Sequence, residues 1–217
     1  MTRKENNGFP RERLLDEAEA LFARKGFEAV SVREITRAAD CNLASVNYHF
    51  GGKKNLYLEV FRARWLPRAL RIQECFKTSL ASHVRLSPAV VVQALAEAFL
   101  KGGLTDDERM RHSQLMAREM ARPGEAFDMV SEGAMRPFIR ELVDMLQSSM
   151  PGGRDDESLM LDVLSILAVV LFFNFARSAV ARLAGSVYDS AFKDRLVEHI
   201  MEFALKGLGV GKGEDLL

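Results

Sequence analysis

The chain has 217 residues, of which 48% are hydrophobic and 28% charged; this is the composition of a soluble globular protein of one large or two modest domains and excludes a low-complexity chain. The 30 basic and 30 acidic residues give a formal net charge of zero, so the overall charge indicates nothing about a polyanionic partner. Cys41 and Cys75 fit neither a disulfide framework nor a metal spacing, which predicts a cytoplasmic protein without a metal or cofactor.

The charge is distributed unevenly along the chain. Residues 1–64 carry 12 Lys and Arg against 9 Asp and Glu, or +3, whereas the remaining 153 residues carry 18 against 21, or −3. This weak asymmetry is typical of a basic head on an acidic body.

One stretch requires a comparison with membrane-spanning segments. Residues 163–176 are almost continuously apolar, but Asp162 and Arg177 bracket only 14 residues. A helix that crosses the hydrocarbon core needs about 20 residues. The N-terminus is polar and lacks the apolar region of a signal peptide. The sequence therefore predicts a buried helix and no membrane partner.

Helical periodicity recurs along the whole chain and no strand pattern persists, so we expect an all-α fold of about nine helices. A first helix begins near Pro10 and ends at Gly26. Ser31 and Glu34 form the capping box of a second helix, in which the Ser31 hydroxyl accepts from the Glu34 N–H and the Glu34 carboxylate reaches back. A third, very short helix follows Asn42.

A long fourth helix begins near Lys53 and runs towards Leu80. A bend is expected at Pro67, because proline cannot donate a backbone hydrogen bond within a helix. Breaks that contain glycine or proline separate five further helices. These are expected at about residues 87–101, 105–122, 125–149, 156–184 and 189–207, followed by a frayed tail at 209–217.

The connection between the second and third helices is too tight for an ordinary helical hairpin. It consists of Asp40, Cys41 and Asn42. This spacing is typical of a helix-turn-helix, whose second helix enters the major groove of DNA while the first crosses the backbone. The same geometry also occurs in ordinary helical bundles, so spacing alone leaves DNA binding open.

We expect the third helix to have one buried and one exposed face. The expected buried residues, at positions i, i+3 and i+7, are Leu43, Val46 and Phe50. The expected exposed residues are Ala44, Ser45, Tyr48 and His49, with Asn47 at the margin. Small residues followed by polar aromatic ones suit entry into a DNA groove.

The candidate DNA contacts fall into two sets. The residues that can approach base edges are Ala44, Ser45 and Asn47. The residues placed to bind phosphate are Ser31, Arg33, Tyr48, His49 and Lys53. Asn42 is expected to cap the third helix and leave its positive end towards DNA. A lysine at the beginning of a helix is unfavourable unless the same end binds a phosphate, which supports the assignment of Lys53.

The predicted helix at 156–184 is apolar on nearly every face, which is typical of a helix that is covered on several sides. A dimer interface and a monomer core both explain this pattern. The candidate interface residues on this helix and the last one are Val163, Leu167, Val170, Leu171, Phe192, Leu196, Ile200 and Phe203. Two such helices from each subunit would form a four-helix bundle.

Polar groups on otherwise apolar helices, together with several methionines, indicate a candidate effector pocket. The candidate residues are His112, Met116, Arg118, Glu119, Met120, Phe127, Phe173, Asn174 and Arg177. Each has a structural alternative, since an arginine or glutamate can join helices by a salt bridge and a methionine stripe can belong to the core.

Two other classes of function stay open on these residues alone. A helical adaptor would require the exposed face of the third helix to be incidental. An enzyme would require a catalytic motif, and the chain has no P-loop, Rossmann glycine pattern, H-E-x-x-H or nucleophile elbow, so we expect a protein that is not an enzyme. Cys41 is expected to be an inert, half-buried thiol rather than a redox sensor, because no basic residue is adjacent in sequence to favour the thiolate.

The run S-V-R-E-I-T-R-A-A-D-C-N-L-A-S-V-N-Y-H-F-G-G-K-K-N-L-Y, preceded by F-A-R-K-G-F-E-A-V-S-V, resembles the signature of TetR-family regulators over about residues 11–62. The later runs M-A-R-E-M-A-R-P-G-E-A-F and M-R-P-F-I-R-E-L resemble the branch with a CecR-type C-terminal domain. Asp40 stands where the family usually has a turn glycine. Aspartate tolerates left-handed backbone conformations better than most residues, so we expect the turn to be kept.

The resemblance implies a transcriptional repressor with a helix-turn-helix domain at 1–62, whose core spans about 11–55, and a helical domain at 63–208 for effector binding and dimerisation. It also implies a homodimer that binds a palindromic operator in double-stranded DNA and a small-molecule effector that releases it.

Overall fold

The computed structural model describes residues 9–150 and 154–210, and within them every regular element is helical. The α-helical segments are α1 (Pro10–Lys25), α2 (Val32–Ala38), α3 (Ala44–Phe50), α4 (Lys53–Val60), α5 (Leu66–Ala81), α6 (Pro88–Leu100), α7 (Asp106–Ala121), α8 (Glu125–Val130), α9 (Arg136–Ser149), α10 (Asp156–Phe175), α11 (Arg177–Ala184) and α12 (Ser190–Gly207). Short π-helical segments join α4 to α5 and α8 to α9, so these segments make ten continuous helices. The prediction of an all-α fold is confirmed.

Each of the two π-helical segments ends two residues before a proline. Phe61–Trp65 precedes Pro67, and Ser131–Met135 precedes Pro137. In the first, the Leu66 N–H donates to the Phe61 carbonyl oxygen, which is the i to i−5 bond of a wider turn. Proline has no N–H and its ring crowds the carbonyl four residues earlier, so the preceding turn widens. The sequence predicted a bend at Pro67, and the structure has a π-helical segment directly before the α-helix that contains this proline.

The helix count exceeds the predicted nine because the expected helix at 156–184 is interrupted at Ala176, between α10 and α11. The hydroxyl of Tyr188 donates to the carbonyl oxygen of Phe173 at 2.6 Å. In an unbroken helix that carbonyl would accept from the N–H of Arg177. The break therefore coincides with a second donor for the Phe173 carbonyl oxygen. This donor, Tyr188, lies beyond α11, so the periodicity of residues 156–184 could not predict the break.

The chain divides into two compact units. The first unit contains the chain up to Arg68 and the segment Asp106–Ser131, and the second contains Ala69–Thr105 and the chain from Glu132 onward. The helices α7 and α8 therefore belong to the first unit, together with α1–α4. The functional boundary expected after residue 62 stays a prediction, since compactness assigns no function. The part of the expected tail from residue 211 onward lies outside the described residues.

Aromatic rings form the core of the first unit. Successive centroids are 5.0 Å apart from Phe27 to Tyr57, 5.1 Å from Tyr57 to Phe61 and 6.5 Å from Phe61 to Trp65. The Trp65 ring stacks on the ring of His112 at 4.3 Å, and its Nε1 donates to the His112 carbonyl oxygen. The series connects the α1–α2 turn, α4, the π-helical segment and α7 by apolar contact.

Two polar groups attach α1 to α7 inside the first unit. Glu19 of α1 is almost fully buried, and its carboxylate accepts from the guanidinium groups of Arg68 and Arg111. Arg118 of α7 donates from Nε to the Ala23 carbonyl oxygen at 3.2 Å and from Nη2 to that of Arg24 at 2.8 Å. These carbonyls end α1 and lack partners within the helix, so Arg118 supplies the missing donors.

The core of the second unit forms where α6 packs against α12, α10 and α9. The 20-residue α10 is long and apolar enough to cross a membrane by length and composition alone. The uncharged run between Asp162 and Arg177 covers only part of α10, which begins at Asp156 and includes Leu159 and Leu161. One face of α10 lies in this core, and core helices of globular proteins meet the same criterion of length and composition.

We expect Gly26→Ala to lower the free energy of unfolding by about 1–3 kcal/mol, because Gly26 has φ +83° and ψ 165°, a region that is almost restricted to glycine. An added Cβ would also lie 3.0 Å from Nη1 of Arg118. Urea-induced unfolding measures the loss. The matched control is Gly185→Ala, where φ is +61° and no atom lies within 4 Å of the added Cβ. Equal losses in the two variants would contradict the special role of Gly26.

Candidate DNA-binding site

The turn between α2 and α3 has the conformation that the sequence predicted. Asp40 has φ +52°, the left-handed region, and the Cys41 N–H donates to the Thr36 carbonyl oxygen at 2.9 Å. Aspartate thus keeps the turn in place of glycine. A compact turn of this kind holds α2 and α3 at a fixed angle, as a helix-turn-helix requires.

The predicted cap of α2 is present. The Ser31 Oγ accepts from the Glu34 N–H at 3.1 Å. The Glu34 carboxylate binds Lys25 Nζ at 2.5 Å. The Lys25 hydrogen bond, with a smaller contribution from the Ser31 backbone, lowers the pKa of Glu34 below its ordinary value. Glu34 therefore also connects the end of α1 to the start of α2, a contact that the capping box alone does not predict.

The two faces of α3 follow the prediction in part, because Ser45 and His49 were expected to be exposed and are half-buried. Val46 and Phe50 are buried, whereas Tyr48 is 84% exposed. Leu43 was expected to be buried and is 46% exposed, so that prediction is wrong. Leu43 directly precedes α3 with helical dihedral angles, φ −55° and ψ −36°, so the i, i+3 spacing holds, but spacing does not determine whether another element covers the residue. The Asn42 Oδ1 accepts from the Ala44 N–H at 3.0 Å, as expected for a cap.

The residues predicted to approach bases lie on the outer side of α3. Ala44 and Asn47 are exposed, and Ser45 is half-buried. Small side chains at the beginning of the helix leave its backbone accessible, which allows close approach to base edges.

The residues predicted to bind phosphate lie on three successive elements. Ser31 and Arg33 are exposed at the beginning of α2, and Lys53 is the first residue of α4. On α3, the ring centroids of Tyr48 and His49 are 4.9 Å apart. Contacts of α3 with α2 and with α4 hold these elements together in the first unit. Their assignment to phosphate stays a prediction.

Sequence reasoning missed two residues beside this site. Phe27 lies under Lys53, with Nζ 4.3 Å from the ring centroid. Arg13 Nη2 lies 3.7 Å from the Sγ of Cys41, which is half-buried as expected. The turn after Gly26 was a signal for Phe27, since the residue that follows a helix-ending glycine often packs back on the fold. Arg13 lies 28 residues from Cys41, so adjacency in sequence could not reveal it.

The structure divides the nine predicted effector residues between the two units. Six lie in the first unit and three, Phe173, Asn174 and Arg177, in the second. Of the first six, His112 and Met116 are buried and Met120 is 49% exposed. The predicted set thus does not form one cluster within either unit, and its role in effector binding stays a prediction.

Arg118 and Glu119 have structural partners in the first unit. Arg118 caps α1, and the Glu119 carboxylate accepts from the Tyr57 hydroxyl at 2.6 Å and from the Phe127 N–H at 3.1 Å. Burial, followed by the Glu119 hydrogen bond, raises the pKa of Tyr57 above its ordinary value. In the second unit, the guanidinium carbon of Arg177 lies 4.8 Å from the centroid of the Tyr188 ring, which is a cation–π contact.

A cavity of about 520 Å³ opens in the first unit between the α1–α2 turn, α4 and the α7–α8 connection. Arg118 and Glu119 are the two predicted effector residues in its lining. Phe27 and Tyr57 form an aromatic wall, and Lys54 and Arg122 contribute charge at the edge.

The predicted interface residues require a correction. Six of the eight are buried in the core of the second unit: Val163, Leu167, Val170, Phe192, Leu196 and Ile200. Leu171 is half-buried, and Phe203 is 59% exposed. A side chain that is covered by its own chain cannot contact a partner. Because α10 is apolar on both faces, its periodicity could not indicate which face points inward.

Comparison with known proteins identifies two families that match the chain. Residues 88–208 match the family described as the C-terminal domain of the HTH-type transcriptional dual regulator CecR, and residues 14–60 match the bacterial regulatory proteins of the tetR family. The HTH-type transcriptional dual regulator CecR of Shigella flexneri is 26% identical over 208 residues, which cover 91% of this chain and 92% of that protein.

Two further proteins agree with these matches. The HTH-type transcriptional repressor NicS of Pseudomonas putida is 26% identical over 210 residues, 91% of this chain and 92% of that one. A TetR-like transcriptional regulator from Rhodococcus sp. RHA1 has the same fold, with a TM-score of 0.67 at 19% identity over 94% of this chain and 97% of the other. The chain belongs to the TetR family of bacterial transcriptional regulators, with a DNA-binding helix-turn-helix near its N-terminus and a C-terminal domain of the CecR type.

Proposed function

We propose that this protein is a cytoplasmic transcriptional repressor, that it binds a palindromic DNA operator as a homodimer, and that a small-molecule effector releases it. The observation that carries the proposal is the exposed face of α3, which lies beside the cations at the beginnings of α2 and α4. Repression is favoured by the relative that is named a repressor, NicS, and the relative named a dual regulator, CecR, is compatible with it.

Within this proposal, phosphate contacts orient the protein and α3 reads the sequence. Arg33 and Lys53 provide charge, and Ser31 provides a hydroxyl at a helix beginning. The base-reading residues Ala44, Ser45 and Asn47 form a short edge, since α3 has only seven residues. A short edge discriminates few base pairs, so two copies on a palindrome supply the specificity that one copy lacks.

The proposed dimer interface is the exposed apolar stripe of α10 with the neighbouring face of α12. Leu161, Leu164, Ala168 and Phe172 are exposed at spacings of three and four, and therefore share one face. The exposed Phe203 lies on α12, which packs against α10 in the second unit. An exposed apolar stripe of this kind is typical of a partner surface, and two helices from each subunit make a four-helix bundle.

The proposed effector acts by shifting a population. In one conformation of the dimer, the spacing of the two helix-turn-helix segments does not match the operator. A compound that binds this conformation more tightly increases its population. Of the nine residues predicted from sequence, Arg118 and Glu119 line the cavity in the first unit and are the proposed effector contacts.

For the phosphate role, we expect Lys53→Ala to weaken binding to all DNA sequences by about tenfold for each protomer, the equivalent of one charged hydrogen bond of about 1.5 kcal/mol. The slope of log affinity against log salt should also fall by about one for each protomer. Fluorescence anisotropy with duplex DNA that flanks the protein's own gene measures both. The control is Lys54→Ala, because Lys54 pairs with Glu125 at 2.5 Å. Unchanged affinity and slope in Lys53→Ala would show that Lys53 binds no phosphate.

For the base-reading role, we expect Ser45→Ala and Asn47→Ala to change the sequence preference, since each lost base contact costs about 1–3 kcal/mol at one position. Their salt dependence should stay that of the unmodified protein, because no phosphate contact is removed. Selection from a random duplex library measures the preference. An identical selected sequence for all three proteins would exclude these residues from base reading.

For the dimer, we expect Leu164→Glu combined with Phe203→Glu to produce folded monomers that no longer bind the operator, because two charges would be buried in an apolar interface. Light scattering and anisotropy measure the two losses. The control is Leu183→Glu, which places the same charge at an exposed leucine of α11, off the stripe. An intact dimer in the double variant would rule out the proposed interface.

A further inference from the structure

The cation of Lys53 lies on an aromatic ring. Its Nζ is 4.3 Å from the centroid of Phe27, within the range in which a cation is attracted to the face of a ring. Among the described residues no carboxylate pairs with Lys53. The neighbouring Lys54 instead pairs with Glu125 at the surface. The two adjacent lysines of α4 are thus held in different ways, and Lys53 keeps its charge uncompensated.

The ring of Phe27 is itself held in place. Its centroid is 5.0 Å from that of Tyr57 and 6.0 Å from that of Phe22. The Tyr57 hydroxyl donates to the buried Glu119 carboxylate, which fixes the ring behind Phe27. Gly26 turns the chain at the end of α1 and so brings Phe27 against α4. The ring is therefore a fixed support rather than a mobile surface group.

A fixed ring lowers the entropic cost of holding a lysine side chain on DNA. A free lysine side chain loses rotamer entropy when it is held in one position on DNA. Contact with a ring reduces that cost because the ammonium is already confined. The ammonium has three N–H donors and the ring occupies only one side of it, so the others stay available to a phosphate oxygen.

We propose that Phe27 is a positioning residue for DNA binding, which holds the Lys53 ammonium at the beginning of α4 ready for a backbone phosphate. This inference rests on the proposed function, because it requires Lys53 to bind phosphate. Phe27 makes no contact with bases in this role, so its effect is the same on every DNA sequence. It acts only through Lys53, which distinguishes it from a residue that merely stabilises the fold.

A double-mutant cycle tests the inference, with Phe27→Leu, Lys53→Ala and the combined variant. Affinity and salt slope are measured on two duplexes, one that flanks the protein's own gene and one of random sequence. We expect Phe27→Leu to weaken binding to both about two- to fivefold for each protomer, because the Lys53 side chain must then be confined when it binds DNA. The salt slope should fall towards that of Lys53→Ala. In the Lys53→Ala background the leucine substitution should cause no further loss, and Phe27→Tyr, which keeps the ring, should bind like the unmodified protein.

Each other outcome overturns the inference in a recognisable way. Unchanged binding in Phe27→Leu, with a loss in Lys53→Ala, removes the role of Phe27 and leaves the phosphate role intact. Tighter binding in Phe27→Leu would show that the ring holds the lysine away from DNA. A further loss in the Lys53→Ala background would show that Phe27 acts by another route. If Lys53→Ala has no effect, the phosphate role itself is wrong. Melting temperatures check folding, and Phe27→Met replaces Phe27→Leu if the leucine variant unfolds.

Discussion

The side of the first unit that is proposed to face DNA depends on the position of Tyr57. Its ring lies edge-on to Phe22 at 5.0 Å and also contacts the rings of Phe27 and Phe61. Its hydroxyl donates to Glu119 at 2.6 Å, and burial, followed by this hydrogen bond, raises the pKa of Tyr57 above its ordinary value. A buried carboxylate is stable only with such donors. The Tyr57 side chain therefore fixes the position of α4 relative to α1 and α7. It also supports the Phe27 ring, which contacts Lys53 at the beginning of α4.

Polar contacts of α7 also hold α1, α4 and α8 in place. Arg118 and Glu119 are adjacent in sequence, yet one binds the last carbonyls of α1 and the other binds α4 and the beginning of α8. Glu19 adds a buried carboxylate with two arginine partners. Removal of one partner from a buried ion pair costs about 3–5 kcal/mol, so the ion pairs of Glu19 resist rearrangement. Helix α7, although distant in sequence from the helix-turn-helix, is part of the same compact unit.

Local chemistry explains why much of the fold was predictable. The cap at Ser31, the left-handed Asp40 and the buried Val46 follow from residues within a few positions of each other. Leu43 was misplaced because helical spacing gives the face on which a residue lies but not whether another element covers that position. The interface residues were misplaced for a different reason, since α10 is apolar on the core face and on the exposed face. The break at Ala176 coincides with a bond from Tyr188, beyond the reach of a local pattern.

The sequence by itself determined the all-helical class, the helix boundaries near glycine and proline, the helix-turn-helix and the residues on the outer side of α3. Periodicity, capping and turn geometry depend on neighbours in the chain, so they can be read directly from it. Only the tertiary structure decided which face of α10 is covered, which helices join the first unit and what supports Lys53. Phe27 and Lys53 are separated by α2 and α3, and their contact exists only because the packing of α1 against α4 brings them together.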